Sequence, residues 1–326
     1  MKFLPASIHK HFSQLYITPS LVVLRRGFFF GQSQEHIAHL HMANLHPYCI
    51  INGSLQPRST AAIGLDDMAL NRGYGVFDFF KVLQGIPMHI EAHLQRLFHS
   101  AQRMHLQIDE DVEGWKSLVQ QLLEANHVQD AGVKILVTAG YATNGYSIAS
   151  PNIIITTQAL PAKKEADYSK GISVITHEYQ REMPDVKSIN YTRGIWLLPQ
   201  IAAAGASDVL YYANDLVSES PRSNVFVVNE AGTLLTPEHN MLKGITRQQV
   251  LQLASQHVAV SCTDVTIADL RNAAEVFITS TTKGILSVTT IDGKPVGNGL
   301  PGKVTLQLMQ ALEMHEMQIL AAAKSH

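Results

Sequence analysis

The sequence is poor in cysteine and in net charge of either sign. Its 326 residues include two cysteines, Cys49 and Cys262, which lie far apart without metal-ligand or redox spacing. This excludes a disulfide-stapled scaffold and favours a reducing, cytoplasmic location. With 25 Lys and Arg against 27 Asp and Glu, the formal net charge is −2, and the basic stripe typical of a nucleic-acid binder is missing. No nucleic-acid partner is expected.

Long hydrophobic runs are also missing. No stretch reaches the roughly 18 apolar residues that a membrane helix requires, so no membrane partner is expected. The first 41 residues start with a positive charge, but Arg25 and Arg26 interrupt their apolar part, which argues against a signal peptide. We expect residues 1–41 to be an unstructured extension, or the product of a start codon assigned too early.

Histidine is abundant, but its spacing does not predict a metal site. The chain has 16 histidines, and the pairs spaced only two residues apart are His9/His11 and His39/His41. Both pairs fall in the N-terminal extension, and no third ligand follows at a sensible distance.

The order of apolar residues predicts an α/β (α+β) chain. Hydrophobic residues make up 46% of the sequence, enough for a full core. Asn52-Gly53 between short apolar runs predicts a hairpin. Leu94, Leu97 and Ala101 share one helical face and predict a helix.

Two domains are predicted on either side of a polar linker. The stretch 159–171 is aperiodic and contains Pro161, so it separates a small α/β domain over 42–158 from a larger α/β domain over 172–326. Helices in the larger domain are expected near 193–205, near 266–273 and from about 302. Because ligand sites favour domain interfaces, we expect the site near this boundary.

The segment "PDVKSINYTRG", residues 184–194, places Lys187 beside an apolar helical pattern. A lysine is rarely buried unless something pairs with it, so an ordinary solvated charge is one interpretation. The other is chemical, because desolvation lowers the pKa of an amine and makes it a nucleophile.

Four other features carry groups that suit a phosphorylated cofactor. Glu219 follows an apolar strand, and its carboxylate suits a cationic ring nitrogen or a solvated loop equally. In "LKGITRQQV", Gly244 precedes a helix start whose free N–H groups suit an anion. The "EVFITSTTKG" strand ends in hydroxyl residues that suit a phosphate or a turn. Arg96 lies on the flank of a helix, and its guanidinium can form a bidentate contact with phosphate.

These motifs, in this order, resemble the class IV aminotransferases, which are fold-type IV pyridoxal phosphate enzymes. The resemblance covers about residues 46–315 and rests on "HLQRLFHSA", "KSINY", "VSESPRSNVFVV", "LKGITRQQV" and "EVFITSTT". It implies a small α/β domain and a larger pseudo-barrel domain, with the cofactor bound between them. The resemblance further implies a homodimer in which each active site includes residues of the partner subunit. It also implies a small-molecule amino acid and a 2-oxo acid as substrates.

The resemblance assigns roles residue by residue. Lys187 is implied to carry pyridoxal 5'-phosphate as a Schiff base and to move the substrate proton. Glu219 is implied to keep the pyridine nitrogen protonated, and Tyr191 to hydrogen-bond the phenolic oxygen. The implied phosphate contacts are Arg96, Ile245, Thr246, Ser280 and Thr281.

The chain departs from the family pattern where relatives face the substrate. In "LNRGYGVFDFF", Arg72 and Tyr74 replace the usual residues and Asp78 replaces glutamate, while Arg222 stands where small residues are common. Arginine binds a carboxylate through two parallel N–H groups. Arg72, from the same or the partner subunit, and Arg222 are therefore predicted to bind either the substrate α-carboxylate or the side-chain carboxylate of a dicarboxylic acid. The predicted substrate contacts are Arg72, Tyr74, Arg222 and Thr282.

The "ITSTTKG" segment favours a D-amino acid transaminase. Branched-chain L-amino acid transaminases usually carry Gly-Thr-Ala-Ala where this chain has Ser-Thr-Thr-Lys. Two alternatives on the same scaffold stay open: a branched-chain L-amino acid transaminase, and aminodeoxychorismate lyase, which releases pyruvate without an acceptor. A cofactor-binding relative without turnover is a third, disfavoured because both Lys187 and Glu219 are present.

Overall fold

A six-stranded antiparallel sheet forms the first half of the chain in the computed structural model, which describes residues 45–324. The strand order is β2-β1-β6-β5-β3-β4. The strands are β1 (Leu45–Ile51), β2 (Ser54–Pro57), β3 (Gly75–Leu83), β4 (Ile86–Pro87), β5 (Ala131–Thr138) and β6 (Ile153–Gln158). The predicted hairpin at Asn52-Gly53 is confirmed, since it joins β1 to β2.

Two amphipathic helices cover one face of this first sheet. The helices of this half are α1 (Met68–Arg72), α2 (Ile90–Arg103) and α3 (Val112–Asn126). Val76, Phe80 and Val82 alternate along β3 and are fully buried against α2 and α3, as a two-residue period requires. The predicted helix through Leu94 and Leu97 is confirmed as α2.

An eleven-stranded mixed sheet forms the second half. Its strands are β7 (Ile172–Glu178), β8 (Asp208–Ala213), β9 (Leu216–Val217), β10 (Glu219–Ser220), β11 (Ser223–Val228), β12 (Leu234–Thr236), β13 (Val260–Cys262), β14 (Val265–Thr266), β15 (Glu275–Ser280), β16 (Gly284–Ile291) and β17 (Lys294–Pro295). The sheet curls, because β10 pairs with β11 while the Ser220 hydroxyl donates to Asp208 on distant β8 at 3.0 Å. This curled half-barrel confirms the predicted α/β fold class.

Six helices accompany the second sheet. They are α4 (Glu165–Lys170), α5 (Thr192–Trp196), α6 (Leu198–Ala203), α7 (Ile245–Ala254), α8 (Ile267–Arg271) and α9 (Lys303–Ala323). Helices α7 and α9 pack on Phe226, Phe277 and Ile285. The predicted helices near 266–273 and from about 302 are confirmed as α8 and α9. Within residues 45–324, no helix is long and apolar enough to cross a membrane.

The structure corrects one helix prediction, places a short helix in the predicted linker, and leaves the N-terminal predictions outside its range. The helix predicted near 193–205 is two short helices, because Leu197 ends α5 and α6 restarts with Pro199 in its first turn. The linker predicted over 159–171 contains α4, which Tyr168 anchors by donating to the Lys283 carbonyl at 2.8 Å. The extension predicted over 1–41 and its histidine pairs lie outside the described residues.

Candidate active site

A cavity opens where α2 of the first half meets the loops of the curled sheet. Nine residues predicted for the site line it: Arg96, Lys187, Tyr191, Glu219, Arg222, Ile245, Thr246, Ser280 and Thr281. Segments that are far apart in sequence therefore converge on one cavity.

Lys187 lies in a loop that is fastened to β3. Its carbonyl accepts from the Phe77 N–H at 3.0 Å, its N–H donates to the Ser100 hydroxyl at 3.1 Å, and the Ile189 N–H donates to the Gly75 carbonyl at 3.0 Å. The amine Nζ lies 4.7 Å from the centre of the Phe77 ring. The backbone is thus held on both sides of the lysine while the amine faces the cavity.

Burial makes the Lys187 amine reactive near neutral pH. Burial, and next the nearby charge of Arg96, lower the pKa of Lys187 to about 8. With that pKa, roughly a tenth of the amine is neutral at pH 7, several hundredfold more than for an ordinary lysine. The neutral form is the nucleophile, so the site favours covalent chemistry at this nitrogen.

Glu219 presents a buried carboxylate to the same cavity. Its Oε1 accepts from Arg181 Nε at 2.7 Å, and its Oε2 accepts from the Leu242 N–H at 3.0 Å. Burial raises the pKa of Glu219, although Arg181 acts in the opposite direction. Arg181 also donates to the carbonyl of Val186, so one guanidinium links the carboxylate to the Lys187 loop.

Arg96 is oriented by an ion pair that the sequence analysis did not identify. Its Nε and Nη2 donate to the two oxygens of Asp78, each at 2.9 Å, and His93 Nδ1 lies 2.7 Å from Asp78 Oδ1. Burial alone would raise the pKa of Asp78, but Arg96 and His93 outweigh it and hold that pKa well below its usual range. The Asp78 carboxylate, 1% exposed, therefore stays charged and fixes the guanidinium edge.

The start of α7 supplies unsatisfied backbone N–H groups. Gly244 is the N-cap, and no side chain caps this helix. A Cβ at Gly244 would lie 2.1 Å from Asn224 Oδ1, so the backbone can lie this close to the Asn224 side chain only because residue 244 is glycine. The buried Thr279 hydroxyl, which also lines the cavity, has no hydrogen-bond partner within the described chain. Together with Ser280 and Thr281 these groups form a site for an anion.

Aromatic rings and cations form another part of the cavity wall. The Tyr191 ring lies 5.9 Å from Phe77, and burial raises the pKa of its hydroxyl. The Arg193 guanidinium stacks over Tyr179 at 5.0 Å. Arg193 and exposed Arg222 both line the cavity, which gives it two cations beyond the anion site.

Three predicted substrate contacts lie outside this cavity. The Tyr74 hydroxyl donates to the Met104 carbonyl at 2.9 Å and its ring packs on the first core, because left-handed Gly73 turns the chain inward. Thr282 lines a neighbouring cavity, since the chain turns away after Thr281. Neither Tyr74 nor Thr282 therefore lines the cavity of its own chain. Arg72 is exposed at the end of α1, away from the cavity of its own chain.

Comparison with known proteins assigns the family. The family model described as amino-transferase class IV matches residues 75–291. D-alanine aminotransferase of Bacillus licheniformis is 32% identical over 269 residues, covering 81% of this chain and 95% of the relative. The chain belongs to the class IV aminotransferases. D-alanine aminotransferase of Listeria monocytogenes is 29% identical over 270 residues, covering 80% of this chain and 93% of the relative.

Solved aminotransferase structures share the fold. The Escherichia coli branched-chain amino acid aminotransferase superposes with a TM-score of 0.76 at 23% identity, covering 81% of this chain and 93% of that one. A hypothetical aminotransferase from Mycobacterium tuberculosis, solved in a PLP-bound form, gives a TM-score of 0.71 at 23% identity, covering 82% and 97%. The residues that converge on the cavity thus lie in a class IV aminotransferase fold.

Proposed function

We propose that this aminotransferase moves amino groups between D-amino acids and 2-oxo acids, with pyridoxal 5'-phosphate as its cofactor. The observation that carries the proposal is the convergence of a buried amine, a buried carboxylate and a helix N-terminus on one cavity. The D-alanine aminotransferase relatives support the choice of D-amino acids.

The donor set of the cavity fits that cofactor. The uncapped N-terminus of α7, which begins after Gly244, suits a phosphate group. The hydroxyls at the end of β15 line the same part of the cavity and suit it as well. We propose that the phosphate is held by Arg96, Ile245, Thr246, Ser280 and Thr281. The Thr279 hydroxyl lies at the same end and has no hydrogen-bond partner among residues 45–324, which supports a phosphate oxygen as its partner. Glu219 suits the ring nitrogen, and Tyr191 the phenolic oxygen.

Each residue of the site would then have its own role in the reaction. Pyridoxal phosphate, when bound, supplies the electron sink that makes the substrate Cα–H bond acidic. Lys187 Nζ holds the cofactor and, once freed, moves the proton taken from Cα. The Glu219 carboxylate keeps a proton on the ring nitrogen, and Arg181 keeps that carboxylate charged and in place. The fixed loop around Lys187 limits the positions its amine reaches.

A donor panel tests the proposed reaction. Purified enzyme is given D- or L-alanine, D-glutamate or L-leucine, with 2-oxoglutarate or pyruvate as acceptor, and the product enantiomer is resolved by chromatography. The proposal expects turnover of the D-forms and an absolute need for the acceptor. Turnover confined to L-leucine would indicate a branched-chain transaminase. Pyruvate released from aminodeoxychorismate without acceptor would indicate the lyase.

Arg222 is proposed to bind the substrate carboxylate. Replacing it with alanine removes a charge-assisted contact worth about 1.5–3 kcal/mol, so KM for D-alanine should rise about ten- to a hundredfold. Affinity for the cofactor, measured by absorbance titration of the apoenzyme, should change less than about threefold, since Arg222 is not among the proposed phosphate contacts. Arg271→Ala, at an exposed position on α8, is the control. Equal loss of substrate and cofactor affinity would remove Arg222 from this role.

A homodimer with Arg72 reaching the partner's site is also proposed. Ile195, Trp196 and Leu198 are exposed by 64%, 56% and 56%, an apolar group beside the cavity that a second copy would cover. Sedimentation should give twice the chain mass. Arg72→Ala and Lys187→Ala subunits, each impaired alone, should regain activity when mixed, since one site per mixed dimer is intact. No recovery in mixed dimers would argue against Arg72 crossing the interface.

A cytoplasmic location is proposed from the thiols. Cys49 and Cys262 are both free, which supports a reducing compartment. Localisation of a tagged chain by fractionation tests this, and recovery from an oxidising compartment would contradict it.

A further inference from the structure

Lys283 connects the turn after β15 to a buried carboxylate on a strand that this turn does not adjoin. Its Nζ donates to Asp208 Oδ2 at 2.8 Å, and the two side chains are 24% and 7% exposed. Asp208 begins β8, which β7 separates from β16 in the sheet, so the ion pair spans the curl of the sheet. The hydrogen bonds between neighbouring strands would therefore not hold this turn to β8.

The carboxylate at the other end of this ion pair is itself held in place. Asp208 Oδ1 accepts from the Ser220 hydroxyl at 3.0 Å and from the Val209 N–H at 2.9 Å. Lys283 Nζ also donates to the Ser223 hydroxyl at 3.4 Å, and both serines are buried. The amine thus joins a buried polar network, and a network whose members are all hydrogen-bonded is rigid.

The backbone of Lys283 is fixed beside two of the proposed phosphate contacts. Its N–H donates to the Ser280 hydroxyl at 3.3 Å, and its carbonyl accepts from the Tyr168 hydroxyl at 2.8 Å. Gly284 follows with a φ of +64°, in the left-handed region that glycine adopts readily. Ser280 and Thr281 line the cavity from the start of this turn. The side chain, N–H and carbonyl of Lys283 together therefore hold the turn that presents these two hydroxyls.

We propose that Lys283 is a positioning residue for the cofactor phosphate, because it holds Ser280 and Thr281 where their hydroxyls bind that group. The inference rests on the proposed function, which places the phosphate at these hydroxyls. Lys283 lines the neighbouring cavity and not the one that would hold the cofactor, so its effect passes through the turn. A fixed turn binds phosphate more tightly than a mobile one, because less conformational freedom is lost on binding.

Lys283→Met keeps most of the side-chain length and removes its charge. The affinity of the apoenzyme for pyridoxal phosphate, measured by absorbance titration, should fall about ten- to a hundredfold, because the displaced hydroxyls lose contacts with a charged group. Affinity for pyridoxal should change less than about threefold, since pyridoxal makes no phosphate contact. Lys81→Met is the matched control and should match the wild type. Lys81 pairs with Glu316 at 2.6 Å, is 18% exposed and does not line the cofactor cavity.

A double variant separates positioning from the cost of an unpaired buried charge. Lys283→Met alone leaves the Asp208 carboxylate without its cation, which destabilises the fold. In Lys283→Met/Asp208→Asn neither charge remains, so the thermal unfolding temperature should recover while the weak binding of pyridoxal phosphate persists. Recovery of both would show that the ion pair only supports the fold. Equal loss of affinity for pyridoxal and pyridoxal phosphate in Lys283→Met would also overturn the proposal.

Inorganic phosphate makes the test independent of turnover. Calorimetric titration of the apoenzyme should show about tenfold weaker phosphate binding to Lys283→Met than to the wild type or to Lys81→Met. Unchanged phosphate affinity in Lys283→Met would reject the role of Lys283 even in a protein that transaminates nothing. Weaker phosphate binding by this variant of an enzyme that does not use D-amino acids would support the role of Lys283 and reject the proposed substrates.

Discussion

Replacing Lys187 with alanine should lower kcat for transamination by about 10²- to 10⁴-fold or more, because a positioned acid–base group contributes about that factor and the covalent attachment of the cofactor is lost as well. The fold should survive, since the change removes a buried cation whose pKa is lowered to about 8 by its own burial. Initial rates with D-alanine and 2-oxoglutarate, together with a thermal unfolding curve, measure both effects. The visible band of the lysine-bound cofactor should also disappear.

Chemical rescue distinguishes a reacting amine from a structural lysine. Added methylamine should restore part of the Lys187→Ala rate in proportion to its neutral form, whereas it should not affect Lys81→Ala. Retention of more than about a hundredth of the wild-type rate, or of the borohydride-fixed cofactor, would show that another nitrogen does the chemistry.

Asp78→Asn should weaken binding of pyridoxal phosphate about a hundredfold or more. Breaking a buried ion pair costs about 3–5 kcal/mol, and here asparagine offers Arg96 one neutral acceptor in place of the two carboxylate oxygens that it contacts at 2.9 Å. The guanidinium then loses the orientation that we propose for phosphate binding. Absorbance titration of the apoenzyme measures the affinity, and titration with pyridoxal, which lacks the phosphate, should show much less change.

Asp185→Asn is the control for this variant, because Asp185 pairs with Arg103 at an exposed position. Its cofactor affinity should match the wild type. Should Asp78→Asn lose affinity for pyridoxal and pyridoxal phosphate equally, Asp78 supports the fold and not the phosphate contact. Thermal unfolding of both variants shows whether each has folded.

The sequence could predict those parts of the site that lie in continuous segments. Lys187, Glu219 and the start of α7 each sit in a run whose residue types indicate their chemistry, and the structure brings all three to one cavity. The covering helices followed equally from periodicity, because α2 repeats its apolar residues every three or four positions. Local pattern was enough in these cases.

Contacts between distant segments could not be predicted in this way. Asp78 was noticed only as a departure from the family pattern, while His93 and Arg96 approach it from another element. A signal was present: His93 and Arg96 are three residues apart beside the apolar face of α2, where buried charge requires a partner. Arg181 gave no such signal, because its contact with Glu219 depends on how the sheet curls.

Turn geometry explains why Tyr74 and Thr282 do not line the cavity of their own chain. Left-handed Gly73 directs Tyr74 into the first core, where its hydroxyl donates to the Met104 carbonyl. Thr282 lies one residue beyond Thr281, where the turn to β16 begins. A sequence motif predicts which segments lie near a site. It predicts the direction of each side chain less well, because that direction depends on the local turn.

The central claim is that Lys187 carries the cofactor and that D-amino acids release it. The most direct measurement is borohydride reduction of the enzyme with pyridoxal phosphate, followed by peptide mass spectrometry. The account predicts one modified lysine, Lys187, and loss of that label when the enzyme is first treated with D-alanine but not with L-alanine. A label on another lysine, no label at all, or removal by L-alanine alone would contradict it.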